Sequence, residues 1–340
     1  MAFNQRIFYA CQAVAIVPRG TATVSSTHIV HGVQSVGMTS TFTLEQVFEL
    51  GQLEIYENVE EVADIEVTIE KVLDGYKTIY NLATGGLCST DLVAAASARS
   101  DVYVAIFDDA LSNATGVPKN VCMNSGMAVS SVSYNYSVDG SATESVTLVG
   151  NDRFWNSTTA GVIATSPTNN WGASNPTGTA GLNGTDVAAS GVVRRADVNL
   201  AASTLPNEVK SQMGNDAVGL GGGYHIQSVS VSCDFGQELI QELGRFGPYT
   251  RYASFPVEVS SDFEVIATSG DLVNVSGNAP NLVDRTIIIK DTAGTVLNLG
   301  TKNKLTSVSY SGGDTGGGNS TVTYSYSNFN SLLVADGGQV

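Results

Sequence analysis

Residues 33–56 read VQSVGMTSTFTLEQVFELGQLEIY, and residues 226–249 read IQSVSVSCDFGQELIQELGRFGPY. At one constant offset the two stretches share Gln34/Gln227, Ser35/Ser228, Val36/Val229, Phe42/Phe235 and Glu45/Glu238. They also share the triplet Glu-Leu-Gly at 49–51 and 242–244 and a closing Tyr56/Tyr249. A second block repeats downstream: SVSYNYSVDGSATESVTLVGND (131–152) matches SVSYSGGDTGGGNSTVTYSYSN (307–328), with 131–134 on 307–310 and Val146-Thr147 on Val322-Thr323. Between the blocks, VYVAIFDDA (102–110) holds the place of TIIIKDTAG (286–294). Two blocks in the same order point to a tandem duplication, which decides the fold before any single element does.

Each copy reads alike. A strand at 33–39, or 226–232, opens it. Thr43-Leu44-Glu45-Gln46 has capping-box spacing and Gly51 sits where a helix needs its left-handed stop, so a short helix is expected there. Leu239, Ile240 and Leu243 with Gly244 give the same expectation in the second copy. The next stretch alternates at strand period. Ile65, Val67 and Ile69 face one way and Glu66, Thr68 and Glu70 the other. Val257, Val259, Phe263 and Val265 likewise oppose Glu258, Ser260, Asp262 and Glu264. Each copy thus carries an acidic row backed by an apolar one. STDLVAAASARS (89–100) reads as a helix with Ser89 or Thr90 as N-cap and Asp91 in its first turn. Hairpins close both copies, turning at Asp139-Gly140 and across 312–318. The expected organisation is an N-terminal arm (1–32), copy one (33–155), a Gly/Asn/Thr-rich connector or insertion or second arm (156–222), and copy two (223–340).

The chain has 340 residues, of which 14% are charged, against a usual share of about 25%. Few charges among many small β-compatible residues imply an all-β protein, with short helices, that buries much of its surface against neighbouring subunits. The 32 acidic and 16 basic residues give a net charge of -16, which disfavours a protein that grips nucleic acid by its phosphates. Such a field suits a surface that lets DNA pass without adhering. The apolar stretch from Ala10 to Val17 is too short to span a bilayer and lacks the cationic lead-in of a signal peptide, so no membrane segment is expected. Cys11, Cys88, Cys122 and Cys233 are far apart; buried thiols or disulfides between subunits remain open.

The residues offer little for chemistry. His28, His31 and His225 lack partners at ligand spacing, so no metal is expected. GGDTGGGNS (312–320) lacks the Lys-Ser/Thr of a phosphate-binding loop and lies between strands, where a hairpin turn accounts for it. No calcium loop and no Gly-x-Ser-x-Gly occurs. The carboxylates of ENVEEVADIEVTIEKVLDG (57–75) spread along a strand without a sugar platform, as a solvated face. Tyr134, Tyr136, Tyr310, Tyr324 and Tyr326 fall at strand period as cross-strand pairs. No catalytic, cofactor-binding or metal residues are assigned, and no enzymatic activity is expected.

An acidic, charge-poor, duplicated β protein with such hairpins resembles the bacteriophage tail tube proteins, also called major tail proteins. The resemblance covers 33–155 and 223–330. It rests on strand order, on IEVTIEKVLDGY and its counterpart VEVSSDFEV, and on ELGRFGPYTRYASFPVEV (242–259). It implies two tandem tail-tube-like β-sandwich domains whose strands join between subunits into a ring-shaped β-barrel. A ring would hold three chains, as a homotrimer with six tube domains, or six as a homohexamer. Rings would stack into a tube that conducts DNA, with sheath, terminator, baseplate and tape measure proteins as partners. Virion localisation follows, with assembly in the host cytoplasm. Glu66, Glu70, Glu258, Asp262 and Glu264 would form the lumen-facing acidic row. Alternatives are another virion component (terminator, baseplate hub, sheath or capsid decoration protein) or a carbohydrate-binding adhesin. The adhesin reading has only Trp155 and Trp171 to draw on.

Overall fold

Alternation of β-branched or aromatic residues with Ser and Thr favours extended backbone, and strands are the predominant regular element. The computed structural model describes all residues except 1–3, 21–23, 25, 88–91, 111, 113, 115–117, 158–190, 201–202, 213–223, 279, 281, 314, 316 and 337–340. The first half contains β1 (Gln12–Pro18), β2 (Val33–Thr41), β3 (Leu44–Phe48), β4 (Ile55–Glu60) and β5 (Asp64–Val72). Helices α1 (Ile79–Ala83) and α2 (Leu92–Ser97) follow, then β6 (Ser100–Ile106), β7 (Asn120–Ser137), β8 (Thr143–Gly150) and β9 (Asp152–Ser157). The second half contains β10 (Val198–Asn199), α3 (Asn207–Lys210), β11 (Ile226–Asp234), β12 (Gln237–Ile240), β13 (Thr250–Ala253) and β14 (Glu258–Ile266). It continues with β15 (Ile288–Asp291), β16 (Val296–Asn298), β17 (Lys304–Ser311), β18 (Thr321–Phe329) and β19 (Leu333–Ala335). The protein is mostly β with a few short helices.

One long antiparallel sheet runs β2-β5-β8-β7-β11-β14-β18-β17. Its first four strands come from copy one and its last four from copy two, in equivalent order. The copies therefore lie side by side, joined where β7 pairs with β11 from Ser137↔Ser228 to Ser131↔Asp234. The N-terminal half of the 18-residue β7 leaves this sheet to pair with β6 and β9, while β6 also pairs with β1. In copy two the same roles fall to β10-β15-β16-β19. Thus β1 and β10, β6 and β15, and β9 and β19 correspond, and β7 is the equivalent of β16 and β17 run together. Gly126 (φ +66°) lies within β7, close to the position where Gly300 (φ +74°) follows β16 in copy two; both use the left-handed backbone that glycine permits. The arm expected over 1–32 thus contributes a sheet strand.

Register shifts fall at matching positions in the two halves. β2 and β5 slip between Val33 and Ser35, and β11 and β14 slip between Ile226 and Ser228. β7 and β8 slip between Val129 and Ser131, and β17 and β18 slip between Leu305 and Ser307. The pairings also correct one alignment: Ser131↔Thr147 corresponds to Ser307↔Ser325, so Thr147 is equivalent to Ser325 rather than Thr323. The glycine-rich turn of copy two is longer, and length differences accumulate in turns because paired strands cannot absorb them without exchanging faces.

The short helices expected at 43–51 and 239–244 are β-hairpins instead. β3 pairs with β4, Leu44 opposite Glu60 and Val47 opposite Glu57, and β12 pairs with β13. Val47, Phe48, Ile55, Tyr56 and Val59 favour extended backbone, and the ladder outweighs the capping-box spacing. Gly51 (φ +100°) and Gly244 (φ +88°) do need left-handed backbone, but in the hairpin connections rather than as helix stops. Of the helix expected over 89–100, the structure has α2 at Leu92–Ser97, and Ser100 already opens β6; the expected cap residues Ser89 and Thr90, together with Asp91, Cys88 and Trp171, lie outside the described residues. Among the described residues no sheet closes into a barrel, and β2 and β17 end the long sheet.

Core residues alternate strictly. Ile65, Val67, Ile69, Val146, Leu148, Val132, Tyr134, Val229, Val231, Val259, Phe263, Val265, Val322, Tyr324 and Tyr326 are all buried, as expected for the apolar rows. They share one cluster with Val14, Ile16, Val102 and Val104 on one side and Ile287, Ile289, Leu297 and Val334 on the other. Phe263 and Tyr326 meet edge to face at 6.0 Å.

Candidate functional site: an acidic, hydroxyl-rich sheet face

The residues between those core positions occupy the opposite face of the long sheet. Glu66, Thr68 and Glu70 on β5 stand beside Ser35, Gly37 and Thr39 on β2, and beside Ser145 and Thr147 on β8. In copy two, Ser260, Asp262 and Glu264 on β14 stand between Ser228, Ser230 and Ser232 on β11 and Thr323, Ser325 and Ser327 on β18. The seam adds Ser133 and Asn135, which are exposed on β7. No Lys or Arg occurs among these positions. All five acidic residues singled out from sequence therefore share one face: Glu66 and Glu258 are exposed, and Glu70, Asp262 and Glu264 half-buried.

Hydroxyls steady the half-buried carboxylates. Ser228 donates to Glu264 at 3.0 Å and Ser230 to Asp262 at 3.3 Å; Ser35 lies 3.5 Å from Glu70, the copy-one equivalent of the Ser228–Glu264 pair. Thr68 and Thr147 hydroxyls meet at 3.2 Å. The face is negatively charged and already hydrogen-bonded to itself. At one end of the face Val149 lies opposite Glu66, the exposed Phe329 opposite Glu258, and the exposed Lys304 opposite Ser327.

A second constellation lies beneath this face. Lys71 continues the inward parity of Ile65, Val67 and Ile69, and it is fully buried opposite Glu144, which is buried too. Lys71 Nζ lies 3.2 Å from Asp74 and donates to the Lys77 carbonyl at 2.9 Å. Glu144 accepts from Ile79 N (2.6 Å), Tyr80 N (3.0 Å) and the Tyr134 hydroxyl (2.9 Å). Burial pushes the Glu144 carboxyl up to about 7, against the pull of Lys71 and these donors. Asp336, just past β19, accepts from Thr78 N (3.1 Å), the Thr78 hydroxyl (3.2 Å) and Asn81 Nδ2 (2.6 Å), and burial raises its pKa as well. The start of α1 is thus held by one carboxylate from each copy. Sequence reading passed over Lys71 and Glu144, although strand parity alone places both inward.

The seam is also tied by side chains. Phe235 is fully buried and stacks on Tyr80 of copy one, centroids 6.2 Å apart. Arg251 on β13 reaches Asp64 at 2.8 Å and Asn151 at 3.3 Å, and Arg99 donates to the Arg251 carbonyl. The opposite hairpin, β3–β4, is exposed along its whole length, with Leu44, Phe48, Leu50, Leu53 and Tyr56 in solvent.

His31 stacks on Tyr76 at 4.0 Å, and Cys11, Cys122 and Cys233 are buried free thiols. Among the described residues no group of three His, Cys, Asp or Glu is placed to hold a metal ion, and no helix is long and apolar enough to cross a membrane. No protein-family model and no curated protein matches the chain. Among solved structures it is similar to a chain of the anti-feeding prophage baseplate, determined by cryo-EM with 6-fold symmetry: identity is 11%, the TM-score is 0.34, and the match covers 46% of this chain and 100% of that one.

Proposed function

We propose that the protein is a structural component of a bacteriophage tail, a tube subunit whose rings stack around a channel for DNA. The observation that carries this reading is the continuous sheet in which two copies stand side by side in the same direction, with hydroxyls and carboxylates predominating on one face. A repeated unit that advances in one direction generates a ring when the rotation closes. Curved inward, the face bearing Glu66, Glu70, Glu258, Asp262 and Glu264 lines the lumen. Three chains supply six tube domains. The protein acts by assembly, without catalysis or cofactor, and its other partners are the remaining tail proteins of the virion.

Negative-stain electron microscopy of the purified chain tests this. Stacked rings with an open centre support the reading. Monodisperse particles that bind glycans on an array overturn it in favour of an adhesin.

A further inference from the structure

The long sheet ends in two edges, β2 and β17, that are the counterparts of the two strands joined at the internal seam. β2 is the equivalent of β11 and β17 of β7. Residues buried at the seam have uncovered counterparts at the edges. Tyr134 on β7 is 1% exposed and its equivalent Tyr310 on β17 is 51% exposed; Phe235 is 0% exposed and its equivalent Phe42, just past β2, is 72% exposed. Val231 and Cys233 are buried, whereas their equivalents Met38 and Ser40 are not.

We infer that β17 of one chain pairs with β2 of a second copy in the register of the internal β7–β11 seam. This deepens the ring reading above and rests on it, because it names the contact through which rings close. The internal register is fixed by Tyr134↔Val231 and Ser133↔Ser232. Carried across the repeat, it sets Tyr310 opposite Met38, Ser309 opposite Thr39 and Ser311 opposite Gly37 of the neighbour. The backbone bond from Phe235 N to the Ser130 carbonyl, 2.8 Å, becomes one from Phe42 N to the Thr306 carbonyl. The parity is right on both faces. Val36, Met38 and Phe42 turn inward with Val308 and Tyr310, and Thr39 and Ser309 extend the hydroxyl face. The occupant is a second copy rather than an unrelated strand, since the chain already contains a bonded example of this junction. Pairing also removes two open strand edges, which otherwise invite unspecific association.

Paired cysteines read the register. The double variant Thr39→Cys/Ser309→Cys, oxidised under native conditions, should give a ladder of disulfide-linked chains that ends at a closed ring. The off-register control Thr39→Cys/Ser311→Cys should give no such ladder. Equal ladders from both variants, or none from the first while rings are visible by electron microscopy, overturn the inference and leave the tube reading standing. A ladder from the first variant alone in particles without a channel supports the inference and overturns the tube reading. Absence of both ladder and rings overturns both. Phe42→Ser provides a variant that leaves the monomer's core intact; it should lose assembly on size-exclusion chromatography, and retained assembly counts against the register.

Discussion

Phe42 and Phe235 occupy the same position in the two copies, yet one is exposed and the other is sealed against Tyr80. Truncating them therefore separates what the seam contributes from what the copy itself needs. Phe235→Ala removes a fully buried ring, a change that costs about 3–5 kcal/mol in a core. Part of that, about 0.5–1.5 kcal/mol, is the aromatic pair with Tyr80. At about 2–4 °C per kcal/mol for a domain of this size, the thermal midpoint should fall by about 6–20 °C. Phe42→Ala should change the monomer by no more than about 0.5 kcal/mol, because a solvated side chain has little to lose. Circular dichroism melts of dilute protein, verified monomeric by light scattering, measure both. At concentrations where chains associate the order reverses: Phe42→Ala should weaken association by 2 kcal/mol or more, about 30-fold in Kd. Equal destabilisation of the monomer by the two variants would show that Phe42 is already buried within the chain and refute the equivalence of seam and edge. Unchanged association of Phe42→Ala would do the same.

Glu144, raised to about 7 when folded against an ordinary 4.5, favours the folded state fully below pH 4.5 and loses that contribution as pH rises through 7. The loss is about 3 kcal/mol, so urea midpoints should fall between pH 5 and 8, and the slope should flatten in Glu144→Gln. Lys71→Met leaves the buried Asp74 without its cation and should destabilise by about 3–5 kcal/mol, with much of this recovered in Lys71→Met/Asp74→Asn; denaturant midpoints of the single and double variants check it. Gly32→Ala places a methyl group 2.6 Å from Asp74 Oδ2 and 3.0 Å from the Val72 carbonyl at φ +73°, and should lower the melting midpoint by more than the roughly 1 kcal/mol of backbone strain alone. Glu66→Lys/Glu70→Lys should leave assembly intact but make the tube retain DNA, seen as slowed ejection or as retardation of DNA on a gel; unimpeded passage would move those residues out of the lumen.

The duplication, the acidic strands and their apolar backs were legible because period-2 alternation and repeat spacing are properties of sequence alone. The hairpins at 44–60 and 237–253 were not. Thr43 to Gln46 satisfies a helix-capping pattern locally, and only the partner strand, many residues on, decides that the segment is extended. The cluster of Lys71, Glu144 and Asp336 was hidden for a related reason. Its members come from both halves of the chain, and a charged residue is taken for solvent-facing until the strand's parity is followed to its end. The shift of Thr147 onto Ser325 escaped notice because Val-Thr recurs by composition, whereas the bulges mark true equivalence.

The seam between β7 and β11 forms within a single polypeptide. Its closure is an intramolecular event, governed by an effective local concentration instead of by how much protein a cell contains. In the proposed six-domain ring, such chains would need three joints between separate molecules where single copies would need six. Its two kinds of joint are also free to diverge. The permanent joint carries a sealed aromatic stack and a shared buried charge cluster, while the proposed joint between chains would keep its aromatics in water until a neighbour arrives.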